Sequence, residues 1–188
     1  MSSTNRGRER NANDYYRTSV DDVMAFLKES GLSLDNQLIY DPCSGGDANN
    51  DMSYPAALSQ WACNSTVVTS DIRDDSPAEY HIDYLNDDFV CVEPDVIISN
   101  PPFKDSLEFV ERALENVREG GLVIFLLRLS FLESLKRKDF LQANMPEKIF
   151  VHAKRMSFTE DGKTDSVAYA HFVWRKGYHP EYSLVKVI

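Results

Sequence analysis

The sequence has few cysteines, and their arrangement builds neither a disulfide framework nor a zinc site. Cys43, Cys63 and Cys91 are odd in number and lack Cys-x-x-Cys spacing. The four histidines also lack metal-ligand spacing, so we predict no bound metal. No apolar run approaches the roughly 20 residues that cross a bilayer, and the basic start has no apolar segment behind it. We therefore expect a cytoplasmic protein without membrane contact.

Positive charge is scarce as well. The net charge of −10 argues against a protein that coats nucleic acid through bulk electrostatics. Acids concentrate between Asp71 and Asp95, with Arg73 between them, and basic residues cluster near the N-terminus and after residue 127. These runs are either ordinary solvated faces or an acidic pocket for a cation beside a basic surface for a polyanion.

The apolar pattern alternates between predicted strands and helices. Helical spacing over residues 18–31 begins at a Thr18 or Ser19 cap and stops at Gly31. Two further helices are predicted over residues 106–121 and 131–142. Strands are predicted at 38–40, 65–71, near 80–85, and at 95–100, 122–129, 148–154, 167–177 and 182–188.

This order predicts an α/β fold with a mostly parallel sheet, helices on both faces and an antiparallel edge formed by the last strands. We expect residues 1–13 to form a flexible tail and residues 14–188 to form a single domain. In such sheets a ligand binds at the carboxyl ends of the strands, where the strand order reverses. Asp41, Asp71, Asp83 and Asn100 all follow predicted strands, so they could converge in one crevice.

The turn after the first strand, "DPCSGGD", lacks both the G-x-G-x-x-G and the phosphate-loop spacing. Its glycines allow close backbone approach, and Asp41 attracts an ammonium group rather than a phosphate. A ligand with an adenosine end and a cationic end fits this turn, and S-adenosylmethionine is the common one; a plain strand-to-helix turn is the alternative. Asp71 could bind ribose, and Asp83 the adenine amine, with Tyr84 or Leu85 against the ring.

The stretch "DVIISNPPFKDS" carries the most specific signal. Pro101 and Pro102 end strand pairing and hold the backbone rigid, which leaves the carbonyl of Pro101 free to face a ligand. The amide oxygen of Asn100 offers a second acceptor, and Phe103 can stack on a ring. Two fixed acceptors can hold both hydrogens of a planar exocyclic amine and direct its lone pair at an electrophilic methyl group.

In the order of these motifs the chain resembles the class I S-adenosylmethionine-dependent methyltransferases, specifically amino-group enzymes with an Asn-Pro-Pro-aromatic motif. "DPCSGGD", "SDI", "DYL" and "SNPPF" match their four motifs in order, except that Asp47 stands where a second glycine is common. The segments "LLRLSFLESLKRKDF", "RMSFTEDGKTD" and "AYAHFVWRKG" resemble small phage and prophage DNA adenine-N6 methyltransferases. The resemblance implies a Rossmann-like methyltransferase fold with a seven-stranded sheet.

The resemblance also implies roles for individual residues. The catalytic set would be Asn100, Pro101, Pro102 and Phe103, which hold the target base. The cofactor S-adenosylmethionine would contact Tyr16, Thr18, Asp41, Pro42, Cys43, Gly45, Asp71, Ile72, Asp83, Tyr84 and Asn100. Duplex DNA would require base flipping, with backbone contacts from Arg128, Lys136, Arg137, Lys154 and Arg155.

Several alternatives stay open at this point. The same amine-holding residues would serve adenine in RNA or glutamine in protein, and a non-catalytic cofactor-binding subunit is a further possibility. Because we expect no separate target-recognition domain, recognition would come from loops such as residues 154–166, from the basic tail, or from a partner protein or second copy of the chain.

Overall fold

A computed structural model describes residues 17–87, 93–158 and 165–188. Its helices are α1 (Val20–Ser30), α2 (Ser53–Trp61), α3 (Ser106–Asn116) and α4 (Leu135–Ala143). Its strands are β1 (Leu38–Asp41), β2 (Thr66–Asp71), β3 (Tyr80–His81), β4 (Val96–Ser99), β5 (Leu122–Arg128), β6 (Lys148–Val151), β7 (Tyr169–Arg175) and β8 (Leu184–Val187). Within these ranges no helix is both long and apolar enough to cross a membrane.

All eight strands form one sheet in the order β3-β2-β1-β4-β5-β7-β6-β8. Strands β1 to β5 are mutually parallel, and β7 runs antiparallel between β5 and β6. The eighth strand, predicted at 182–188, pairs with β6 in parallel, so the sheet has one strand more than the seven that the resemblance implies. The chain order reverses at β1 and β4, so the carboxyl ends of these two strands form the crevice where such sheets bind ligands.

Helices cover both faces of the sheet, as predicted. On one face α1 and α2 pack against the sheet through side chains such as Phe26, Leu27 and Leu58. On the other face α3 and α4 pack through Phe109, Val110 and Leu141. The four residues of β4 and the first six of β5 are buried, which explains why both strands are continuous apolar runs in the sequence.

The structure corrects some predicted boundaries. Helix α2 was not predicted, because Pro55 in "SYPAALSQW" reads as a helix breaker; it lies in the first turn, where no intrahelical N–H bond is needed. Helix α3 ends at Asn116, before the glycines expected to close it. The predicted helix at 131–142 is broken at Ser134, whose φ is 113°, so that a 3-10 turn precedes α4.

Candidate active site

A cleft of about 380 Å³ lies at the carboxyl ends of the parallel strands. This volume is in the range of small-molecule sites in proteins. Nine of the residues predicted from the sequence line it: Pro42, Cys43, Asp71, Ile72, Asp83, Tyr84, Leu85, Asn100 and Pro102. The motifs after β1, β2, β3 and β4 therefore meet at one place, as the positions of the strand ends predicted.

The loop after β1 is fastened to the end of β2. Ser44 donates hydrogen bonds to the carbonyl of Ser70 through its backbone N–H and its hydroxyl, both at 3.0 Å. The N–H of Gly45 donates to Oδ2 of Asp71 at 2.8 Å. Gly46 has a φ of 76°, and a Cβ there would lie 2.9 Å from Met52 Cγ. The loop is thus held in one conformation by β2 and by a glycine that no larger residue replaces without strain.

Asp47, which occupies the place of the second glycine of the motif, caps its own turn. Its Oδ1 accepts a hydrogen bond from the N–H of Asn49 at 2.8 Å, and both its carboxylate oxygens lie 3.0 Å from Nδ2 of Asn50. Its φ is not positive. The backbone at this position therefore does not require glycine, which explains why the chain can depart from the common motif here.

Asp41 ends β1 and is wholly buried. Its Oδ1 accepts hydrogen bonds from the hydroxyl of Ser99 at 2.6 Å and from the N–H of Cys43 at 3.2 Å. Its Oδ2 is buried and has no hydrogen-bond partner among the residues that the structure describes. Burial raises the pKa of Asp41 to about 7, against the lowering effect of the two hydrogen bonds, and the nearby Asp71 raises it further. Pro42 and Cys43, which follow Asp41, line the cleft, whereas Asp41 itself does not.

The carboxylate of Asp71 stabilises the turn that follows β2 and lines the cleft. Its Oδ1 accepts from the N–H of Arg73 at 2.9 Å, while Oδ2 holds Gly45. Ile72 between them is 51% exposed although apolar, and it faces the cleft. Such an exposed apolar side chain at a cleft rim suits contact with a planar ring.

Asp83 and Tyr84 form the opposite end of the cleft. The carboxylate of Asp83 accepts hydrogen bonds from the N–H of Leu85 at 3.0 Å and from Nδ2 of Asn86 at 2.7 Å, so it also shapes its own turn. Tyr84 is almost fully buried and stacks on Phe109 at 5.5 Å between ring centroids. Burial raises the pKa of Tyr84 far above its usual range, so this side chain stays a neutral phenol.

The Asn-Pro-Pro-Phe segment follows β4 and leads into α3 through a 3-10 turn over Phe103–Asp105. The N–H of Asp105 donates to the carbonyl of Pro102 at 3.1 Å, so this turn uses Pro102 and not Pro101 as its acceptor. Nδ2 of Asn100 donates to Oγ1 of Thr18 at 3.0 Å. That bond fixes the orientation of the amide, with its nitrogen toward Thr18 and its oxygen on the opposite side.

Phe103 belongs to a cluster of aromatic side chains beside the cleft. Its ring centroid lies 5.2 Å from that of Tyr169 and 6.1 Å from that of Phe158. The guanidinium carbon of Arg128 stands over the Phe103 ring, 5.0 Å from its centroid. The structure thus places Arg128, predicted as a DNA-backbone contact, against the ring predicted to stack on the target base.

The other predicted backbone contacts differ in their surroundings. Lys154 and Arg155 are exposed and directly precede Met156, which packs with Phe103 and Phe158 in one hydrophobic cluster. Lys136 is exposed, and its Nζ lies 3.7 Å from Oε1 of Glu108. The guanidinium of Arg137 instead donates to the carbonyls of Phe131, Ser130 and Glu133, at distances from 2.6 to 3.0 Å. Arg137 therefore closes the turn between β5 and α4, and its contact with a nucleic-acid backbone stays a prediction.

Some cleft residues were missed by the sequence interpretation. Arg73, Lys104 and Asp105 line the cleft, and each lies within five residues of a motif residue in the sequence. Ser99 was missed although it precedes Asn100, because only the fold brings its hydroxyl to Asp41. Tyr16 lies outside the described residues. Among the described residues no group of His, Cys, Asp or Glu could hold a metal ion.

Cys43 lies at the cleft with its thiol among acids. Burial raises the pKa of Cys43 well above its usual range, and the nearby Asp41 and Asp71 raise it further. The thiol therefore stays protonated at neutral pH. A covalent mechanism through this cysteine is therefore unfavourable.

No protein-family model matches the sequence, and no curated protein matches it. Solved structures do match its fold. A protein from Listeria monocytogenes assigned to the class I S-adenosylmethionine-dependent methyltransferases has a TM-score of 0.66 and 16% identity, over 96% of this chain and 68% of that one. The methyltransferase subunit of a type I restriction-modification system from Streptococcus thermophilus has a TM-score of 0.68 and 12% identity, over 92% and 47%.

A third match extends over nearly the whole length of both proteins. A Pyrococcus horikoshii protein described as an RNA methyltransferase has a TM-score of 0.62 and 12% identity, over 90% of this chain and 91% of that one. The chain spans about half of the Streptococcus subunit. With identities this low the comparison concerns architecture, and the strand order and the helices on both faces agree with it. The chain has the Rossmann-like fold of the class I methyltransferases.

Proposed function

We propose that this protein transfers the methyl group of S-adenosylmethionine to the exocyclic N6 amine of adenine in DNA. The observation that carries the proposal is the position of Asn100, Pro101, Pro102 and Phe103 at the end of β4, beside a cleft that is lined by Asp71 at the end of β2 and by Asp83 after β3. The motif suits a planar amine, and the acids suit a ligand with a cationic end and a ribose.

The residues of the cleft fit S-adenosylmethionine. Asp71 would accept hydrogen bonds from the ribose hydroxyls, Ile72 would contact the adenine ring, and Asp83 would accept from the adenine amine. The buried, unpartnered Oδ2 of Asp41 would attract the ammonium group of the methionine portion, directly or through water, near Gly45. Bound there, the cofactor supplies an electrophilic methyl group on a sulfonium.

The chain's own contribution to the chemistry is to hold the amine. The Asn100 amide oxygen and the Pro101 carbonyl would each accept one N–H of the target amine, which favours a tetrahedral nitrogen with its lone pair directed at the methyl group. The hydrogen bond to Thr18 keeps the Asn100 oxygen directed away from Thr18. As the new N–C bond forms, the S–CH3 bond of the sulfonium would break and S-adenosylhomocysteine would leave as the product. The nitrogen would then lose one of its two protons to solvent, while the Asn100 oxygen and the Pro101 carbonyl keep it in place by hydrogen bonds.

DNA is the substrate we favour. The carboxyl half resembles phage-type adenine-N6 enzymes, and the exposed Lys154 and Arg155 lie near the aromatic cluster of Phe103, where a flipped base would arrive. The fold matches include a restriction-modification methyltransferase subunit. Target recognition would come from residues 154–166, of which 159–164 lie outside the described residues, or from a partner protein or a second copy of the chain.

The test is incubation of the protein with methyl-labelled S-adenosylmethionine and unmethylated DNA, followed by nucleoside analysis. We expect N6-methyladenine. Asn100→Ala should abolish it while calorimetry finds cofactor affinity within about threefold of wild type, a difference of ~0.7 kcal/mol. Asn64→Ala, at an exposed asparagine before β2, is the matched control.

Parallel reactions with RNA and with a protein extract separate the alternatives. Label found in RNA adenine or protein glutamine, and not in DNA, would show that the chemistry is right and the substrate wrong. Cofactor binding without transfer to any of the three would identify a non-catalytic subunit instead.

A further inference from the structure

Arg128 is the last residue of β5, and it interacts with two neighbours. Its guanidinium carbon stands 5.0 Å from the centroid of the Phe103 ring. Across β5 and β7 it is paired with Tyr169, and its charge acts to lower the pKa of that hydroxyl, against the larger raising effect of burial. A guanidinium over an aromatic face is attracted by the ring electrons. In this structure, therefore, Arg128 covers part of the side chain on which the target base is proposed to stack.

Tyr169 is itself fixed in place. Its hydroxyl donates to Oδ2 of Asp165 at 2.7 Å, and its ring packs against Phe158 at 4.8 Å between centroids. Asp165, Tyr169, Arg128 and Phe103 thus form a row of contacts that leads to the proposed base site. The first members of the row are anchored in β7 and its preceding loop, and the long side chain of Arg128 joins them to Phe103.

One donor of Arg128 is not used in this position. Its Nε–H is buried and has no hydrogen-bond partner among the residues described in the structure. A buried donor without an acceptor is unfavourable. An anionic oxygen that arrived nearby would satisfy this donor, and a guanidinium matches the two oxygens of a phosphate particularly well.

We propose that Arg128 is a substrate-gated positioning residue: its guanidinium rests on Phe103 in the free protein and transfers to a phosphate of the target strand when the base stacks there. This inference rests on the proposed function. It adds that one residue couples entry of the base to recognition of its backbone. Arg128 would hold the Phe103 ring ready before the target arrives, and would then contribute its charge only to the nucleic-acid complex.

The test measures DNA affinity against salt concentration for wild type, Arg128→Met and Arg128→Lys. Methionine keeps most of the apolar length without charge, and lysine keeps the charge without the planar fork. Loss of one phosphate contact should lower the slope of log K against log salt by about 0.9 for duplex DNA. We expect that loss, with a roughly tenfold rise in KM for DNA, in Arg128→Met, while Arg128→Lys keeps the wild-type slope.

Two measurements show whether the role is merely structural. S-adenosylmethionine affinity should be unchanged in both variants, because Arg128 does not line the cleft. Lys28→Met, at an exposed lysine near the end of α1, removes one positive charge elsewhere and should leave the slope unchanged. A variant that loses kcat with wild-type KM and slope would overturn the proposal, since Arg128 would then only support Phe103.

Failure of the inference and failure of the proposed function give different results. If Arg128→Met binds DNA with wild-type affinity and wild-type salt slope, the proposed role of Arg128 is wrong, and the proposal of DNA methylation still stands. If wild-type protein binds no DNA and methylates none, both are overturned, and that is visible before any variant is made.

Discussion

Lowering the pH from 7.0 to 5.5 should weaken the binding of S-adenosylmethionine. The reason is the carboxyl group of Asp41, because burial raises its pKa to about 7. An ammonium group binds the ionised carboxylate and not the protonated acid, so the free protein must lose a proton before or as the cofactor binds. A carboxyl with an ordinary pKa of about 4 would stay ionised over this whole interval and give no such effect.

The magnitude follows from the fraction ionised. With a pKa of about 7, Asp41 is about half ionised at pH 7.0 and about 3% ionised at pH 5.5. The dissociation constant should therefore rise by about 15-fold across this interval, which corresponds to about 1.6 kcal/mol. The upper limit is set at pH 7.0 because an α-amino group itself begins to titrate near pH 7.7–8.0.

Isothermal titration calorimetry measures both parts of this argument. Titrations in two buffers of different ionisation enthalpy should reveal release of about one proton per cofactor bound at pH 5.5. Asp41→Asn should bind more weakly and lose the pH dependence. A wild-type affinity that is flat from pH 5.5 to 7.0, or a pH dependence that survives in Asp41→Asn, would refute a role for Asp41 as the ammonium's counter-charge.

The remaining predictions concern a partner of the catalytic amide, the cofactor loop and a buried histidine. Thr18→Val should lower kcat by about tenfold, because Asn100 loses the hydrogen bond that orients it; a kinetic assay that finds kcat unchanged would contradict this. Gly46→Ala should lower the free energy of unfolding by over 2 kcal/mol, because an αL alanine costs about 1–2 kcal/mol and its Cβ also lies too close to its neighbours. Gly31→Ala is the matched control, since its φ is also positive and a Cβ there meets nothing within 4 Å; equal urea midpoints for the two variants would be evidence against the steric part. Burial lowers the pKa of His171 well below its usual range, so its contribution to stability is present above about pH 6.5 and is lost as pH falls below it. His171→Gln should therefore lose less unfolding free energy between pH 7.5 and 5.0 than wild type does. If urea denaturation finds the same loss in both proteins, this prediction is wrong.

The cofactor-free protein should respond to pH at Asp41 with the opposite sign. A carboxyl whose pKa is higher in the folded than in the unfolded state stabilises the fold below its unfolded value of 3.8, and this contribution is lost as pH rises to about 7. At about 1.4 kcal/mol per pH unit, the full effect is at most about 4 kcal/mol. Above pH 7, Asp41→Asn should consequently unfold at higher urea concentration than wild type does. A lower urea midpoint for the variant would mean that the ionised carboxylate does not destabilise the fold.

The sequence predicted the α/β class and the position of the site because both depend on local signals. Buried strands such as β4 and β5 are continuous apolar runs, and the acids and the Asn-Pro-Pro-Phe segment come directly after strands. The carboxyl ends of parallel strands meet at one edge, so the convergence of Asp71 and Asn100 follows without further information. The helix at α1 was predicted with its cap and its terminal glycine for the same reason.

What the sequence did not predict depends on contacts between distant segments. Asn100 and Thr18 are 82 residues apart, and Asp41 and Ser99 are 58 residues apart. No pattern in the chain pairs them. The position of Arg128 is similar: its charge suggested a phosphate contact, and only the pairing of β5 with β7 brings Tyr169 to it and sets it against Phe103.

The hydrogen bond between Thr18 and Asn100 also has a thermodynamic consequence. Thr18 is proposed to contact the cofactor, and Asn100 is proposed to hold the target amine. Their side chains are linked directly, with 3.0 Å between Nδ2 of Asn100 and Oγ1 of Thr18. If binding at one end stabilises this pair, the coupling must be reciprocal: the factor by which cofactor raises the affinity for the target equals the factor by which the target raises the affinity for cofactor. The two ligands would then bind cooperatively, without any movement of the sheet.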